Sequence, residues 1–508
     1  MRARGRSRSR LLLPLACVSV VGGQSGLAHA DPFHSQTLPL GQRAIGMGGA
    51  YTAIADDPSA AYYNPGGLVV TGDAALSASL TLVAFDRSLV QGGYRTAEGS
   101  TSLSHSTGTS LPVFVSAVKH LGRRDPLGRR RHAVALSTFT VSQRRVSFDV
   151  QMRTQTATGV GLETLSISDS DRTVWHGLSY AYRPTPALSV GISGFLSVHR
   201  MRYAEERIGA SLGSVNFGDG SFASDRSMWT SHLVEGNVKN MLARIGVLYR
   251  VNEQLRVGLM FQPPSLHIRG RAMVRERALR SDLTIDPPAG SLLNASEKDL
   301  LSREPLPWEL RLGGSYLIRH WLTLSSDVSL YGRTGSKAHP VIAVGPRRRN
   351  EETGAQPEPG AFISETWYRT YNANLAFGGE AVLKDSIAIR TGIYTDMSSA
   401  PSLPRYSAEY RPPTVHRVGG TLSVGLVSDG YDISLGTIGL IGRGRSMAFN
   451  NDPTADDLYA RTRAKDRMFL FFLTGVKSAV RALTRKAEET LRDLRTPVPE
   501  PVPRDEPP

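Results

Sequence analysis

Residues 188–198 read Leu-Ser-Val-Gly-Ile-Ser-Gly-Phe-Leu-Ser-Val, and their period decides the fold. Leu188, Val190, Ile192, Leu196 and Val198 alternate with Ser189, Gly191, Ser193 and Ser197, broken only by Gly194 and Phe195. Successive side chains of a strand point to opposite faces, so one face here is apolar and the other small and polar. The same alternation recurs in Leu322, Leu324, Val328 and Leu330 against Thr323, Ser325, Asp327 and Ser329. It recurs again in Leu422, Val424 and Leu426 against Thr421, Ser423 and Gly425. Runs of about ten such residues mark strands with lipid on one side and a lumen on the other.

Working outward, strands are expected near 74–86, 109–120, 131–142, 172–183, 187–203, 237–251, 254–274, 306–319, 321–332, 367–382, 386–396, 414–428, 431–445 and 465–477. Short joins fall at 183–186, 252–253, 319–320, 384–385 and Asp429-Gly430, the last a strong hairpin turn. Long joins lie between them, at 206–236, 275–305, 333–366, 397–413 and 446–464. A soluble β-sandwich also alternates, but it has no reason to alternate loop length. Val146, Phe148, Val150 and Met152 alternate too, as a hairpin above the membrane or as strands that raise the count to sixteen. The fold class expected is all-β: a transmembrane antiparallel β-barrel of about fourteen strands over 74–477. Aromatics toward strand ends, Trp175, Tyr180, Tyr249, Phe261, Trp308, Tyr316, Trp321, Trp367, Tyr394 and Tyr431 among them, fit interfacial girdles.

The flanks carry address signals. Arg2, Arg4, Arg6, Arg8 and Arg10 precede an apolar run from Leu11 to Val21, and Ala28-His29-Ala30 is a small-x-small cleavage site, so residues 1–30 read as a signal peptide. Cys17 is the only cysteine and lies in that segment, which excludes disulfide frameworks and thiolate metal sites from the mature chain. A lipidated Cys17 would need a better lipobox than Pro14-Leu15-Ala16. Losing five arginines lowers the formal charge from +15 to +10. The remaining basic residues cluster in turns, such as Arg123-Arg124 and Arg347-Arg348-Arg349, facing membrane or lipopolysaccharide rather than nucleic acid. Beyond the leader no run of about eighteen apolar residues offers a membrane helix. Val476, Val480, Leu483, Ala487, Leu491 and Leu494 recur at helical spacing, predicting over 478–508 a periplasmic amphipathic helix and a Pro-rich tail, with a periplasmic partner.

The segment before the first strand carries the function. It contains Gly46-Met47-Gly48-Gly49-Ala50, Ala55-Asp56-Asp57-Pro58-Ser59-Ala60 and Asn64-Pro65-Gly66-Gly67-Leu68. No strand precedes Gly46, Gly48 and Gly49 and their spacing is wrong, so they do not form a dinucleotide loop. Small residues instead allow close packing of backbone on backbone. Asp57 reads as a helix cap with Pro58 at the first helical position, and 64–67 as a turn.

These motifs resemble the N-terminal hatch of the FadL-like outer-membrane transport proteins for long-chain fatty acids and aromatic hydrocarbons. Arg244-Ile-Gly-Val-Leu-Tyr-Arg, Leu255-Arg-Val-Gly-Leu-Met-Phe-Gln-Pro-Pro, Leu306-Pro-Trp-Glu-Leu-Arg-Leu-Gly and Arg390-Thr-Gly-Ile-Tyr-Thr-Asp are similar to that family's strand blocks and follow its order. Gly66 stands where the family commonly has Ala. The resemblance implies a barrel plugged by residues 31–73, with Gly46, Gly48, Gly49, Asp56, Asp57, Asn64, Pro65 and Gly66 as hatch or gating residues. It also implies an outer-membrane location, hydrophobic small molecules as cargo and a lateral exit at a strand kink, for which Gly and Pro interruptions such as Pro112 are candidates, and passive diffusion is expected because no periplasmic energising motif is recognisable. Apolar groove candidates are Phe217, Phe222, Leu292, Leu293, Phe362 and Ile363, all placed in loops. No cofactor, metal or catalytic group is expected: His176 and Ser179, three apart on a strand, face opposite sides, and no Gly-x-Ser-x-Gly elbow is present. The alternative is a PorV-like scaffold for protein secretion or surface attachment, which shares the glycine-rich motif style.

Overall fold

The computed structural model describes residues 33–71, 74–96, 99–109, 112–124, 130–156, 159–216, 222–282, 289–319, 321–335, 368–407, 411–428, 430–450 and 459–478. Two short helices, α1 (Gln42–Gly46) and α2 (Ala60–Tyr63), and a 3₁₀ turn over Pro65–Val70 precede the strands. Then come β1 (Ala74–Thr96), β2 (Gly99–Thr109), β3 (Pro112–Arg124), β4 (Arg130–Thr156), β5 (Gly159–Tyr182), β6 (Leu188–Asn216), β7 (Phe222–Arg250), β8 (Leu255–Gln262) and β9 (Leu266–Asp282). The chain continues through β10 (Ala289–Leu301), β11 (Glu309–Ile318), β12 (Leu322–Tyr331), β13 (Asn372–Leu383), β14 (Ile387–Asp396), β15 (Tyr406–Ser407), β16 (Thr414–Ser428), β17 (Tyr431–Asn450) and β18 (Tyr459–Ser478).

All eighteen belong to one sheet. It closes because β18 returns to pair antiparallel with β1, from Ala75 opposite Ser478 to Val90 opposite Ala464. This pairing removes the edges of the first and last strands, as lipid demands of a spanning sheet. Three pairs of strands continue one another across a break. β2 and β3 both pair with β1 on either side of residues 110–111. β8 and β9 both pair with β7 on either side of Pro263-Pro264-Ser265, where prolines remove ladder donors. β10 pairs with β9 and β11 with β8, on either side of residues 302–308. These breaks, and the two-residue β15, are why the strands outnumber the fourteen expected from the alternation.

The alternation resolves into two faces. Along β16, Arg417, Thr421 and Ser423 are buried while Val418, Leu422, Val424 and Leu426 are exposed, Leu426 by 68%. An apolar outer face continuous over so many strands far exceeds what a monomeric protein leaves in water, so it faces lipid. Each leucine-sized side chain placed there contributes roughly 1.5–3 kcal/mol relative to exposure in water. Tyr180, Tyr249, Tyr316 and Tyr431 point outward near the short-turn end, as one aromatic girdle requires, while Phe261 points outward at the far end of β8. Trp175 and Tyr394 are corrections: both are buried inside, 4% and 1% exposed. Trp367 and the segment 479–508 lie outside the described residues.

The joins expected at 206–236 and 275–305 are corrected as well. The strands run on through them, β6 to Asn216 and β7 from Phe222, β9 to Asp282 and β10 from Ala289. The alternating segment at 146–152 belongs to the same extension: Val146 pairs with Asp169 and Thr156 with Gly159, so β4 and β5 form one long hairpin. Above the apolar band the outer face of these strands is mostly polar, while inward-facing Val146, Phe148, Val150 and Met152 pack with Leu165, Ile167 and Tyr203.

Candidate functional site: the N-terminal segment and the wall around it

Residues 33–71 lie inside the closed sheet and are almost wholly buried. Backbone rests on backbone wherever both sides are glycine. Gly48 holds φ +64°, and a Cβ there would stand 3.1 Å from the Ile393 nitrogen of β14. A Cβ on Gly392 would stand 2.3 Å from the Met47 carbonyl carbon. Only glycine permits both the left-handed turn and this approach. Gly46 sits against Ser423 and Arg390, and its carbonyl accepts from Thr421 Oγ1 at 2.8 Å. Gly49 closes the turn by donating to Ala44 O at 2.8 Å.

Asn64 is fully buried. Its side-chain nitrogen donates to Thr52 O at 3.0 Å and to Val247 O of β7 at 2.9 Å, while its Oδ1 accepts from Gly66 N at 3.1 Å. One side chain thus ties the turn, the segment and the wall together. Pro65 begins the 3₁₀ turn against Gly191 and Gly246 of the wall. A Cβ on Gly66 would meet the carbonyl oxygens of Gly246 and Ser189, each at 3.0 Å.

Asp56 and Asp57, adjacent in sequence, have opposite environments. Asp56 pairs with Arg43 and accepts from Tyr51 Oη at 2.9 Å. Burial pushes its carboxyl up, but the charges of Arg43 and Arg256 together with the Arg43 hydrogen bond outweigh it, and the net direction is down. Asp57 accepts from Ser59 N at 2.7 Å and from Arg43 N at 3.4 Å. Burial dominates there and pushes its carboxyl up, with the Ser59 hydrogen bonds opposing. The helix start is also corrected: Ser59 occupies the N-cap position of α2, and Asp57 folds the turn before it.

Charged partners of this segment on the wall carried no assigned role in the sequence. Asp327 of β12 accepts from the backbone nitrogens of Tyr51 and Thr52 at 3.0 and 2.9 Å and from Thr52 Oγ1 at 2.6 Å. Glu380 of β13 holds Arg43 (Nε–Oε1 3.2 Å) and Arg390 of β14 (2.8 Å), and Arg390 continues to Asp432 at 2.6 Å. Across the lumen, Arg244 pairs with Glu309 at 2.7 Å, donates to the Tyr62 carbonyl, and lies 4.1 Å over the Tyr62 ring. Arg311 shares Glu309 at 2.6 Å. The available signal was ionisable residues on lumen parity within strands, as in Glu309-Leu310-Arg311. Burying an unpaired charge there would be prohibitive, so each must find a partner.

The backbone ladder of the wall is interrupted at the Pro112 end of β3. Among the described residues no backbone register joins β2 to β4. β4 pairs with β3 only up to Phe139 opposite Phe114, whose rings stack at 5.2 Å. Above that point β4 slips register between Thr140 and Ser142. His105 of β2 then bridges the gap, with Nδ1 2.6 Å from the Ser147 carbonyl oxygen and 3.0 Å from its backbone nitrogen. Behind the gap lies an internal cavity of about 40 Å³ lined by Leu38, Val141, Leu440 and Met468, with Arg144, Arg417, Asp86 and Asp466. Arg417 pairs with Asp466 at 2.7 Å.

The loop candidates fare differently. Leu292 is on strand β10 and 42% exposed, and Leu293 and Phe222 are also on strands. Phe217, Phe362 and Ile363 lie outside the described residues.

No protein-family profile matches the chain, and no curated protein matches it. Solved structures do. A FadL homologue from Pseudomonas aeruginosa aligns with TM-score 0.55 at 14% identity over 86% of this chain and 98% of its own. The P. putida toluene transporter TodX aligns with TM-score 0.54 at 13% identity over the same shares. The fold is therefore that of the FadL-like β-barrels.

Proposed function

We propose that the protein is an outer-membrane channel for passive diffusion of hydrophobic small molecules, long-chain fatty acids above all. Residues 31–73 act as its hatch, with residues 1–30 as the leader and 478–508 on the periplasmic side. Counting interrupted strands as single spans and leaving out β15 supports fourteen crossings. The observation that carries the reading is the gap between β2 and β4 beside an internal cavity. At the lower end of that gap, where β3 stops pairing beside Phe139, a hydrophobic molecule would leave into lipid and avoid water, whose contact costs about 0.8 kcal/mol per CH₂. The cavity is too small for a fatty acid, so passage requires the segment around Leu38 to move. Arg144 and Arg417 are held by Asp466 at 3.8 and 2.7 Å, and a carboxylate head could take that acid's place, whereas a neutral aromatic such as the toluene of the TodX name has no such group.

The test is mass spectrometry of ligands retained by the purified barrel, then titration with oleate and with toluene. Saturable oleate binding that weakens in Arg144→Gln supports the reading. Toluene binding alone would move the cargo to aromatics. An empty barrel that binds neither would favour the scaffold alternative.

A further inference from the structure

On the outer face of β5 to β9, basic side chains stand in rows directly above the apolar band. The last apolar row is Leu196, Met241 and Leu266, paired across neighbouring strands and 39%, 54% and 69% exposed. Two residues higher, Lys239 pairs with Arg269. Two residues higher again, Arg172 pairs with Arg200, Arg200 with Asn237 and Asn237 with Arg271. All five basic residues are exposed. Arg172, Arg200 and Arg271 line an open groove of about 630 Å³ together with Met201, Gly236 and Ala272, and Lys239 and Arg269 stand one row below it. Each acid that lines it is already engaged: Asp299 by Arg271, Glu235 by Arg202 at 3.2 Å and Asp171 by His199. Among the described residues Arg172, Arg200, Lys239 and Arg269 have no carboxylate partner. A solvated charged face needs no such order, and four unpaired cations within two rows repel one another unless an anion joins them.

We propose that this groove binds the phosphorylated headgroup of an outer-leaflet glycolipid, with the acyl chains lying down the apolar band below. The inference rests on the outer-membrane reading above. The depth fits: two to four residues is about 7–13 Å along a strand, the height of a headgroup above its chains. Arginine forks pair with phosphate oxygens bidentately, and arginines on adjacent strands engage one multiply charged headgroup together. Longer strand extensions lie on this side, opposite the short turns, so the groove belongs to the external leaflet.

The experiment is native mass spectrometry of the full folded protein offered bisphosphorylated lipid A, its dephosphorylated form, or inorganic phosphate as competitor. The same measurements are made on the triple variant Arg172→Gln, Arg200→Gln, Arg271→Gln. Retention of the bisphosphorylated lipid should fall roughly tenfold or more on loss of either the lipid phosphates or the three guanidinium groups. Millimolar inorganic phosphate should not displace it. Equal retention of the dephosphorylated lipid, or by the triple variant, overturns the proposal, and displacement by phosphate alone would make this a free-ion site. Dephosphorylating the lipid leaves the protein untouched, so a folding defect cannot imitate the result. Unchanged oleate binding by the triple variant separates failure of this site from failure of the channel reading.

Discussion

Asp327 and Thr52 meet twice through a single oxygen: Oδ2 accepts from the Thr52 backbone nitrogen at 2.9 Å and from its hydroxyl at 2.6 Å. The same oxygen takes the Tyr51 nitrogen at 3.0 Å, so one wall carboxylate satisfies three donors of a segment some 275 residues away in sequence. Asp327→Ala strands those donors and should lower the local opening free energy of residues 51–52 by roughly 3–5 kcal/mol. Hydrogen exchange on the folded barrel reads it. Protection equal to that of the native protein would mean the contact carries no weight.

Gly392→Ala separates the wall from its contents. Alanine suits a strand, but its Cβ would fall 2.3 Å from Met47. Overpacking of this kind costs about 1–3 kcal/mol. The barrel should keep its folded, heat-modifiable band on gels, while trypsin gains access to Arg43. Continued protection of Arg43 would show that the segment can yield without unseating.

Asp56 and Asp57 predict opposed pH responses. The carboxyl of Asp56 is lowered, so its contribution is present above the unfolded value of about 3.9 and is lost as pH falls through its folded value. That of Asp57 is raised, so its contribution is complete below about 3.9 and is lost as pH rises through its folded value. Asp56→Asn should destabilise the segment at neutral pH and remove its acid-induced loosening. Asp57→Asn should flatten the decline between acid and neutral pH. Hydrogen exchange of residues 42–63 across that range decides both, and identical profiles for the two variants would contradict the assigned environments.

The gap between β2 and β4 makes the fourth prediction. Cys17 is the sole cysteine and precedes the predicted cleavage site, so thiols can be introduced into a background without others. His105→Cys combined with Ser147→Cys, bridged by a bifunctional maleimide, should block fatty-acid uptake in intact cells. The unbridged pair should retain it. Full uptake by the bridged protein would place the exit elsewhere.

The strand spans were legible because lipid on one side and packed small residues on the other keep the alternation strong. β16 ends at Ser428 and β17 begins at Tyr431, the bounds read from the Asp429-Gly430 turn. Lys384 and Asp385 both adopt positive φ, 48° and 53°, so the short join read there is a tight turn. The extensions of β6, β7, β9 and β10 were not legible, because runs such as Arg275-Glu276-Arg277-Ala278-Leu279-Arg280 keep their ladder without a sustained alternation to advertise it. The motif glycines were found, but not their counterparts Gly191, Gly246 and Gly392, which are meaningful only in three dimensions. Glu380 joins Arg43 to Arg390, and such triads leave no spacing pattern along a chain.

The seam at which β18 joins β1 seals the ring along its side and leaves its two ends open. Residues 33–71 precede the first strand, yet they are gripped by side chains from β7, β12, β13 and β16. What keeps the leading peptide in the lumen is therefore fit. Wall glycines such as Gly246 and Gly392 act as a keyway, because a Cβ on either would strike Pro65 or Met47 and bar the peptide from its seat.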